Sequence, residues 1–331
     1  MRIAIVSDAW LPQVNGVVRT LDTVRHRLGA AGHEVLVIGP DRFRTLPCPT
    51  YPEIRLALLP ARATARLIDD FKPDAIHIAT EGPLGIAARR YCLARGFHFT
   101  TSFHTKFAEY LHARTRFPVS WTYAWLRRFH AASTRIMVAT PSLETELTQH
   151  GFAHLARWSR GVDTALFRPQ TPALELPRPV FLYVGRVAVE KNIGAFLDLD
   201  LEGSKLVVGD GPQLAQLKRR HPDVHFAGAQ QGEALARHYA AADVFVFPSR
   251  TDTFGLVLLE ALASGLPVAA YPVTGPRDVI DGAPVGCLDD DLATAARRAL
   301  TLERAACRDY ALNFTWDISA RQFLTNLAPV H

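Results

Sequence analysis

The chain alternates between short apolar runs and longer segments in which apolar residues recur at helical spacing. The run from Arg2 to Val6 is too apolar to be exposed on either face, which predicts a buried strand. The next segment predicts a helix whose apolar face carries Val17, Val18, Leu21, Val24 and Leu28. Further strands are predicted at residues 34–38, 74–78, 97–101 and 135–139, with helical segments between them. This alternation is typical of a parallel sheet covered by helices on both sides.

The same rhythm returns in the second half of the chain, after a proline-rich linker near residues 168–178. Strands are predicted there at residues 180–184, 205–208, 224–226, 243–247 and 267–270. The sequence therefore predicts an α/β protein with two doubly wound, Rossmann-like domains, residues 1–168 and 169–314, and a terminal helical segment at 315–331. Ligands of doubly wound sheets bind outside the carboxyl ends of the strands, so we expect the site in a cleft between the two domains.

An unusually apolar helix is predicted within residues 252–265. Asp252 is a suitable N-cap residue, and Gly265 and Pro267 supply the stop. Glu260 is the one charged residue inside this helix, and a lone buried carboxylate is costly unless a polar group meets it. We therefore expect Glu260 to bond a ligand, with Asp252 about 12 Å away along the helix axis as a second ligand-holding carboxylate. The alternatives are that Asp252 only caps the helix and that a remote arginine satisfies Glu260.

Two cations occupy a strand-to-helix loop in the same half of the chain. Arg186 and Lys191 follow the predicted strand at 180–184 and precede a helix near Ile193. Anions are favoured ahead of a helix N-terminus, and a forked arginine with a point-charge lysine neutralises a departing diphosphate without a metal. The alternative is a pair of solvated cations in a loop.

Two glycine turns follow predicted strands. Asn15 is a credible N-cap, and Gly16 leaves its backbone N–H open to close approach by a phosphate. Gly209, Asp210 and Gly211 form a second turn whose glycines permit tight backbone approach. Both segments are also compatible with ordinary turns.

Polar residues follow two strands of the first half. His104 and Lys106 come after the strand predicted at 97–101, and Glu81 and Gly82 come after the strand before it. Their positions place them at the expected cleft edge. The alternative for His104 is a satisfied structural histidine.

Charge is distributed unevenly along the 331 residues, of which 48% are apolar and 21% charged. Residues 1–168 carry 22 Lys and Arg against 13 Asp and Glu, whereas the remainder carries 15 against 19. A basic half predicts a surface that meets anions. Between Arg114 and Arg135, arginines interleave with aromatic residues, and Trp121 and Trp125 lie four residues apart, which favours contact with an anionic membrane surface. The alternative is that the aromatic residues are core and the arginines solvated.

Several classes of protein are disfavoured. The four cysteines lack zinc-ligand spacing, and the Asp198–Asp200 pair lies in a charged turn, so neither a metal nor a cofactor is expected. Met1 leads directly into a strand and no apolar run is long enough to span a bilayer, which favours a cytoplasmic protein, peripheral on the inner membrane face if the basic segment binds there. A dehydrogenase is disfavoured because the first strand leads into no Gly-x-Gly-x-x-Gly motif. The cations are not ordered as a nucleic-acid module, so no nucleic-acid partner is expected.

The motifs of the second half resemble the signature of glycosyltransferase family four. The resemblance rests on Pro248-Ser249, on the acid-x7-acid spacing of Asp252 and Glu260, on residues 259–268 and on the Gly-Arg-x…Glu-Lys-Asn pattern of residues 185–192. The family's usual first acid is Glu in a Glu-Gly-Phe-Gly loop, whereas this chain has Asp252 in Asp-Thr-Phe-Gly. Within the family, the sequences of these motifs are most similar to those of the glycolipid-forming branch, the α-mannosyl- and sulfoquinovosyl-type transferases.

This resemblance implies the GT-B fold, in which two Rossmann-like domains face each other across a cleft and a terminal helix crosses back to the first domain. It implies retaining transfer of a hexose from a nucleotide diphosphate sugar, GDP-mannose or a UDP-hexose, to a hydroxyl, with a lipid or glycolipid as the expected acceptor. Arg186 and Lys191 would bind the donor phosphates, Glu260 the ribose, and Asp252 and His104 the transferred sugar. Glu81 and Gly82 would lie on the acceptor side, with Lys106 near a phosphate or the acceptor. The other donor-binding residues implied are Gly16, Gly209, Asp210, Gly211, Phe254, Gly255 and Leu256.

Two rival functions remain at this level. One is a sugar-nucleotide epimerase or hydrolase on the same two-domain frame, which would consume the donor with no acceptor present. The other is a non-catalytic basic protein that binds anions or nucleic acid, which the sequence pI of about 9.2 motivates.

Overall fold

The structure, a computed structural model, describes residues 1–13, 15–48, 51–252, 254–280 and 282–331, apart from the side chains of residues 51–53, 110, 113 and 114. The chain divides into two compact units. The first comprises Met1–Ser159 with Trp316–His331, and the second comprises Arg160–Thr315. Each unit is built on a parallel sheet, as the alternation of strands and helices predicts.

The first unit is centred on six parallel strands. The strands of this unit are β1 (Arg2–Val6), β2 (Glu34–Ile38), β3 (Thr45–Cys48), β4 (Tyr51–Ala57), β5 (Ala75–Ile78), β6 (Thr100–Phe103), β7 (Ile136–Val138) and β8 (Leu155–Arg157). The sheet order is β2-β1-β5-β6-β7-β8, and β3 and β4 form a separate antiparallel hairpin. Because β2 lies on one side of β1 and the later strands lie on the other, the sheet has a topological switch point between β1 and β5.

Helices connect these strands in the described part of the first unit. They are α1 (Gly16–Ala30), α2 (Ala61–Phe71), α3 (Pro83–Arg95), α4 (Phe107–Thr115), α5 (Val119–His130) and α6 (Pro141–Gln149). Asn15 caps α1, as predicted, since its Oδ1 accepts hydrogen bonds of 3.0 Å from the backbone N–H groups of Val17 and Val18. The predicted apolar face of α1 is the buried one, with Leu21 and Val24 fully enclosed.

The second unit repeats the arrangement with six more parallel strands. They are β9 (Val180–Val184), β10 (Ser204–Val208), β11 (His225–Gly228), β12 (Val244–Phe247), β13 (Val268–Ala270) and β14 (Gly286–Leu288). The sheet order is β11-β10-β9-β12-β13-β14, so the switch point lies between β9 and β12.

Helices also follow the strands of the second unit in the described part of the chain. They are α7 (Ile193–Leu197), α8 (Leu214–Arg220), α9 (Gly232–Ala240), α10 (Leu256–Ala263), α11 (Thr274–Ile280), α12 (Leu292–Ala299) and α13 (Arg304–Ala311). Phe181 and Val246 of the sheet share one core cluster with Phe196 of α7 and Ala295 of α12. This core holds the loops at the carboxyl ends of β9 and β12 on a rigid base.

The last helix, α14 (Trp316–Asn326), belongs to the first unit. Its Phe323 lies in the same core cluster as Leu21 and Val24 of α1, and its Ser319 accepts a hydrogen bond of 3.2 Å from the indole of Trp158. Among the described helices, none combines the length and apolarity that a bilayer-spanning segment needs.

The units divide between Ser159 and Arg160, nine residues before the predicted boundary at 168/169. The reason is that the intervening segment packs into the second unit. Arg308 donates hydrogen bonds to the carbonyls of Phe167 (2.6 Å) and Thr164 (2.8 Å), and the buried Phe167 ring meets Tyr239 edge to face.

Some strands differ from their predicted positions. The strand expected at 97–101 is β6, Thr100–Phe103, because Gly96 ends α3 in the left-handed region (φ 66°) and Phe97 donates back to the carbonyl of Cys92. The hairpin β3–β4, with prolines in both strands, and the three-residue strands β8 and β14 were not predicted. Strands this short or interrupted carry too little alternation to stand out from loops.

Candidate active site

The candidate site of the second unit lies where the loops after β9 and β12 meet. These strands flank the switch point, and parallel strands bring their following loops to the same edge of the sheet. At this edge, Nζ of Lys191 lies 2.5 Å from Oδ1 of Asp252. The cation and the carboxylate that the sequence singled out, 61 residues apart, are therefore in direct contact.

Two further hydrogen bonds join the same loops. Asn192 donates through Nδ2 to the carbonyl of Pro248 at 3.1 Å, and Thr251 donates through Oγ1 to the carbonyl of Glu190 at 3.3 Å. A side chain from each loop thus satisfies the backbone of the other. This mutual bonding fixes the relative positions of the charged groups before any ligand arrives.

Asp252 does not cap a helix, contrary to one of the two expectations for it. Helix α10 begins at Leu256, and the N-cap position is Gly255 in the left-handed region, with φ 83°. Residues 252–255 are therefore loop, and the distance of about 12 Å along a helix axis, based on ~1.5 Å per residue, does not apply. Oδ2 of Asp252 is buried and accepts no hydrogen bond from the described residues, so the carboxylate keeps an acceptor for a ligand hydroxyl.

Arg186 lies in the loop after β9, as predicted, with about a third of its side chain exposed. Its Nε lies 3.9 Å from Oε1 of Glu190, and its carbonyl accepts a hydrogen bond of 2.7 Å from Tyr183. The helix after this loop, α7, has only five residues. The sequence predicted that the N-terminus of this helix would favour an anion. A helix that short adds little dipole, so the attraction for an anion comes from the side-chain charges.

The Gly209–Gly211 turn packs against the loop after β9. A Cβ atom on Gly209 would lie 1.8 Å from the carbonyl oxygen of Gly185, and one on Gly211 would lie 2.4 Å from that of Val187. Both glycines have positive φ, 148° and 159°. The Asp210 side chain is exposed and accepts from the adjacent Gly211 N–H at 2.7 Å. These glycines are therefore required for backbone packing between two loops, and their contact with a nucleotide stays a prediction.

Glu260 is buried, with 2% of its surface exposed. Its Oε2 accepts a hydrogen bond of 2.8 Å from the hydroxyl of Tyr239 on α9. Tyr239 is itself fully buried, between Phe167 and Phe245. The sequence predicted that a polar group must meet Glu260 but did not identify the tyrosine, whose only signal was its place on the apolar face of α9.

The segment that leads into α10 is tightly held. The side chain of Phe254 is buried, and Gly275 of α11 lets the two backbones approach, since a Cβ there would lie 2.9 Å from the carbonyl oxygen of Phe254. Thr253 lies outside the described residues. Gly255 and Leu256, at the start of α10, are half-buried. Contact of these residues with the donor stays a prediction.

In the first unit, the loops after β1 and β5 flank the switch point, and Asp8 joins them. Asp8 accepts hydrogen bonds of 2.9 Å from the Thr80 hydroxyl and from the backbone N–H of Leu84 at the start of α3. Gly82 makes this approach possible, because a Cβ on it would lie 2.5 Å from Cγ of Asp8. Burial raises the pKa of the Asp8 carboxyl above its ordinary value. The sequence reasoning missed Asp8 and interpreted Gly82 only as an acceptor-side residue.

Glu81 is bound by a buried histidine. Its Oε1 lies 3.1 Å from Nε2 of His130, and Nδ1 of that ring lies 2.9 Å from the hydroxyl of Thr101. His130 is 1% exposed, whereas the Glu81 side chain is 23% exposed. Glu81 therefore lies at the carboxyl end of β5 in a fixed orientation, and its contact with an acceptor stays a prediction.

Lys106 forms an ion pair that the sequence did not predict. Its Nζ lies 2.6 Å from Oε2 of Glu146. Tyr123 donates to Oε1 of Glu109 at 2.8 Å and lies 3.3 Å from Oε1 of Glu146. The charge of Lys106 thus serves the packing of α4, α5 and α6, and its contact with a phosphate or acceptor stays a prediction.

His104 directly follows β6, so it lies at the carboxyl end of that strand. Its ring meets the buried Trp158 edge to face, with centroids 5.6 Å apart. Gly16 is the first residue of α1 and is exposed behind its cap. The structure thus places both residues at the predicted edge of the first sheet.

The basic aromatic segment divides into two faces. Tyr123 and Phe129 are buried, whereas Phe117, Trp121 and Trp125 are 42%, 68% and 43% exposed. The arginines whose side chains are described, Arg116, Arg127, Arg128 and Arg135, are exposed, and the side chain of Arg114 lies outside the described part of the chain. The segment is therefore neither wholly a membrane-facing surface nor wholly core with solvated arginines. Helix α5 buries Tyr123 and Phe129 and exposes Trp121 and Trp125.

Within the described residues, no three His, Cys, Asp or Glu side chains come together in an arrangement that could hold a metal ion. Asp198, the first member of the Asp-x-Asp pair, is about half exposed and lies 3.7 Å from Arg220 and 3.6 Å from His221.

Comparison with known proteins gives matches along most of the chain. Residues 14–166 match the family model described as Glycosyltransferase Family 4, and residues 178–303 match the model described as Glycosyl transferases group 1. A GDP-mannose-dependent alpha-mannosyltransferase of Mycobacterium tuberculosis is 34% identical over 85% of this chain and 81% of its own length. The sulfoquinovosyl transferase of Arabidopsis thaliana is 30% identical over 84% of this chain and 61% of its own length.

Solved structures show the same fold. Sucrose-phosphate synthase from Thermosynechococcus elongatus matches with a TM-score of 0.78 at 22% identity, covering 98% of this chain and 97% of that one. Anabaena HepE in complex with UDP and glucose matches with a TM-score of 0.72 at 14% identity, covering 98% of both chains.

Proposed function

Because the chain belongs to glycosyltransferase family 4 and is a hexosyltransferase of the GT-B fold that uses a nucleotide-sugar donor, we propose that its donor is GDP-mannose and its acceptor a hydroxyl of a lipid or glycolipid. The names of three relatives that are 30–34% identical, each a GDP-mannose-dependent alpha-mannosyltransferase, support this donor. Relatives named alpha-monoglucosyldiacylglycerol synthase and phosphatidylinositol dimannoside mannosyltransferase support a lipid acceptor.

The observation that carries the proposal is the contact between Lys191 and Asp252. On donor binding, the diphosphate meets Lys191 and Arg186, whose charges stabilise the negative charge that develops as the sugar leaves. Asp252 then accepts from a hydroxyl of the transferred sugar, for which its buried Oδ2 supplies the acceptor. The diphosphate and the sugar, on either side of the breaking bond, thus have separate partners in the joined loops after β9 and β12.

Other residues bind the remaining parts of the substrates. Glu260, held by Tyr239, accepts from the ribose hydroxyls, and the backbone of the Gly209–Gly211 turn faces the base. His104 contacts the sugar, and Glu81 with Gly82 serves the acceptor. No nucleophile is assigned to the chain. The acceptor hydroxyl attacks from the side that the diphosphate leaves, with a phosphate oxygen as base, and the configuration is retained.

The aromatic face of α5 is the proposed contact with an anionic membrane surface. Trp121 and Trp125 lie one helical turn apart, and exposed Arg127 and Arg128 lie on the same helix. Tryptophan settles at the boundary between head groups and acyl chains, and arginine adds attraction to anionic lipids. A lipid acceptor would then be met at the surface where it resides.

The test is product analysis with GDP-mannose and with UDP-glucose, each with and without membrane lipid extract and each with and without excess EDTA. The proposal predicts a mannosylated lipid from GDP-mannose, undiminished by EDTA because Lys191 and Arg186 supply the positive charge. Transfer from UDP-glucose alone would change the donor but keep the lipid acceptor. Donor consumption at the same rate without lipid would instead favour the hydrolase or epimerase.

A further inference from the structure

The guanidinium of Arg250 is stacked on an aromatic ring at the edge of the candidate donor site. Its Cζ lies 3.6 Å from the centroid of the Tyr271 ring. Arg250 lies in the loop after β12, two residues before Asp252, and Tyr271 directly follows β13. Both residues are therefore at the carboxyl edge of the second sheet. Neither residue was singled out in the sequence, and the roles given to the other site residues do not use them.

The stack fixes a cation that would otherwise be mobile. Tyr271 is 7% exposed, whereas Arg250 is exposed, so the guanidinium covers the ring and faces solvent on its other side. Stacking uses the face of the guanidinium and leaves the N–H groups on its edge available for a forked pair of hydrogen bonds. Within the described part of the chain, no carboxylate lies within ion-pair distance of Arg250.

The carboxyl edge of the second sheet needs a further cation to attract a diphosphate. The loops after β9, β10 and β12 carry three carboxylates, Glu190, Asp210 and Asp252. Without Arg250, only Arg186 and Lys191 oppose them, and each of these already contacts a carboxylate. The diphosphate of a sugar nucleotide carries a negative charge on each phosphate, and an edge with more carboxylates than cations would repel it.

We propose that Arg250, held flat by Tyr271, is a third cation of the donor site and binds the diphosphate of the nucleotide sugar. This inference rests on the proposed function and deepens it. Arg250 raises the number of cations at this edge to three, equal to the number of carboxylates. Its orientation is set before the donor arrives, so little side-chain entropy is lost on binding. Arg186 and Lys191 then approach the diphosphate from the loop after β9 and Arg250 from the loop after β12.

The experiment is calorimetric titration of GDP, GMP and UDP into the wild-type protein and five variants, one of which is Lys191→Ala as a reference for loss of a donor-site cation. Arg250→Ala should raise the Kd for GDP about tenfold, in the range of one lost charge-assisted hydrogen bond, and the Kd for GMP by less. The Kd of Arg250→Lys for GDP should lie between those of the wild type and Arg250→Ala. Lysine keeps the charge but neither forms a bidentate pair of hydrogen bonds nor stacks as arginine does. Tyr271→Leu should weaken GDP binding with Arg250 still present. Arg219→Ala, an exposed arginine on α8 of the same unit, is the matched control and should change nothing.

The possible failures are distinguishable. If Arg250→Ala binds GDP as the wild type does while Lys191→Ala does not, the role of Arg250 is refuted and the proposed function stands. If Arg250→Ala raises the Kd for GDP and the Kd for GMP by the same factor, Arg250 does not contact the second phosphate. The inference then fails in its stated form. If the wild-type protein binds neither GDP nor UDP, the proposed function fails and this inference fails with it. Melting temperatures of all variants separate these results from loss of fold.

Discussion

The hydroxyl of Tyr239 donates a 2.8 Å hydrogen bond to Oε2 of Glu260, and both side chains are at most 2% exposed. The carboxylate that the family resemblance assigns to the ribose is therefore oriented by a second buried residue, carried on a different helix. A ligand contact made by Glu260 depends on this orientation, because loss of the Tyr239 donor changes how the buried carboxylate is held.

Tyr239→Phe removes this hydrogen bond and keeps the ring. It should cost about 1–3 kcal/mol of stability, because a buried acceptor loses its donor, and it should raise the KM for the donor more than it lowers kcat. Melting curves and steady-state kinetics measure the two effects. The matched control is Tyr310→Phe, which removes a hydrogen bond of 2.7 Å to the Val279 carbonyl in the same unit. Equal KM values for the two variants would show that Tyr239 is merely structural.

Gly209→Ala should disrupt the loops of the donor site. The added Cβ would lie 1.8 Å from the carbonyl oxygen of Gly185, which forces the two loops apart. Gly228→Ala is the control, since that glycine also has positive φ (71°) but nothing within 4 Å of the new Cβ. Gly228→Ala should cost about 1–2 kcal/mol from backbone strain alone, and Gly209→Ala should cost more and abolish nucleotide binding. Equal losses of stability in urea unfolding would contradict the packing role.

Asp8 should make the stability of the first unit depend on pH. Burial raises the pKa of its carboxyl above the ordinary 3.8, although hydrogen bonds from Leu84 and Thr80 oppose the shift and the nearby Glu81 adds to it. The folded protein then holds the proton at pH values where the unfolded chain releases it. The stability contribution of Asp8 is therefore fully present below the unfolded pKa and is lost as the pH rises through the folded pKa.

The corresponding measurement compares the wild type with Asp8→Asn, which cannot titrate. As the pH rises from the ordinary carboxyl range towards neutrality, the unfolding free energy of the wild type should fall relative to that of Asp8→Asn. A difference between the two proteins that stays constant with pH would show that the Asp8 pKa is the same in the folded and unfolded states.

Replacing Trp121 and Trp125 together by serine should weaken binding to phosphatidylglycerol vesicles about tenfold or more, because each ring loses favourable burial of the order of 1.5–3 kcal/mol. Co-sedimentation at low salt measures the bound fraction, and added salt should lower it for the wild type. Leu312→Ser, which removes a 47% exposed apolar side chain from the second unit, should bind as the wild type does. Wild-type protein that stays in the supernatant at low salt would refute the membrane contact.

Periodicity and turn residues predicted most of the architecture. The runs at Arg2–Val6, Glu34–Ile38 and Val180–Val184 coincide with strands, because buried parallel strands leave an uninterrupted apolar pattern. The sequence singled out Lys191 and Asp252 but did not pair them, because their contact depends on the strand order that places β9 beside β12.

The residues that were missed depend on contacts between distant parts of the chain. Tyr239 reaches Glu260 from another helix, and Asp8 caps α3 from 76 residues away. Nothing local marks either pairing. The start of α10 was misplaced because Asp252 has the propensity of an N-cap, whereas the left-handed backbone of Gly255 fixes the true start.

The central claim is that the loops joined by Lys191 and Asp252 form the nucleotide-sugar site. The most direct measurement is the Kd for GDP by calorimetric titration into wild type, Lys191→Ala and Lys218→Ala, the last an exposed lysine of the same unit. Lys191→Ala should weaken binding at least about tenfold, from the loss of a charge-assisted contact, and Lys218→Ala should bind as the wild type does. Wild-type affinity in Lys191→Ala, with its fold intact, would contradict the account.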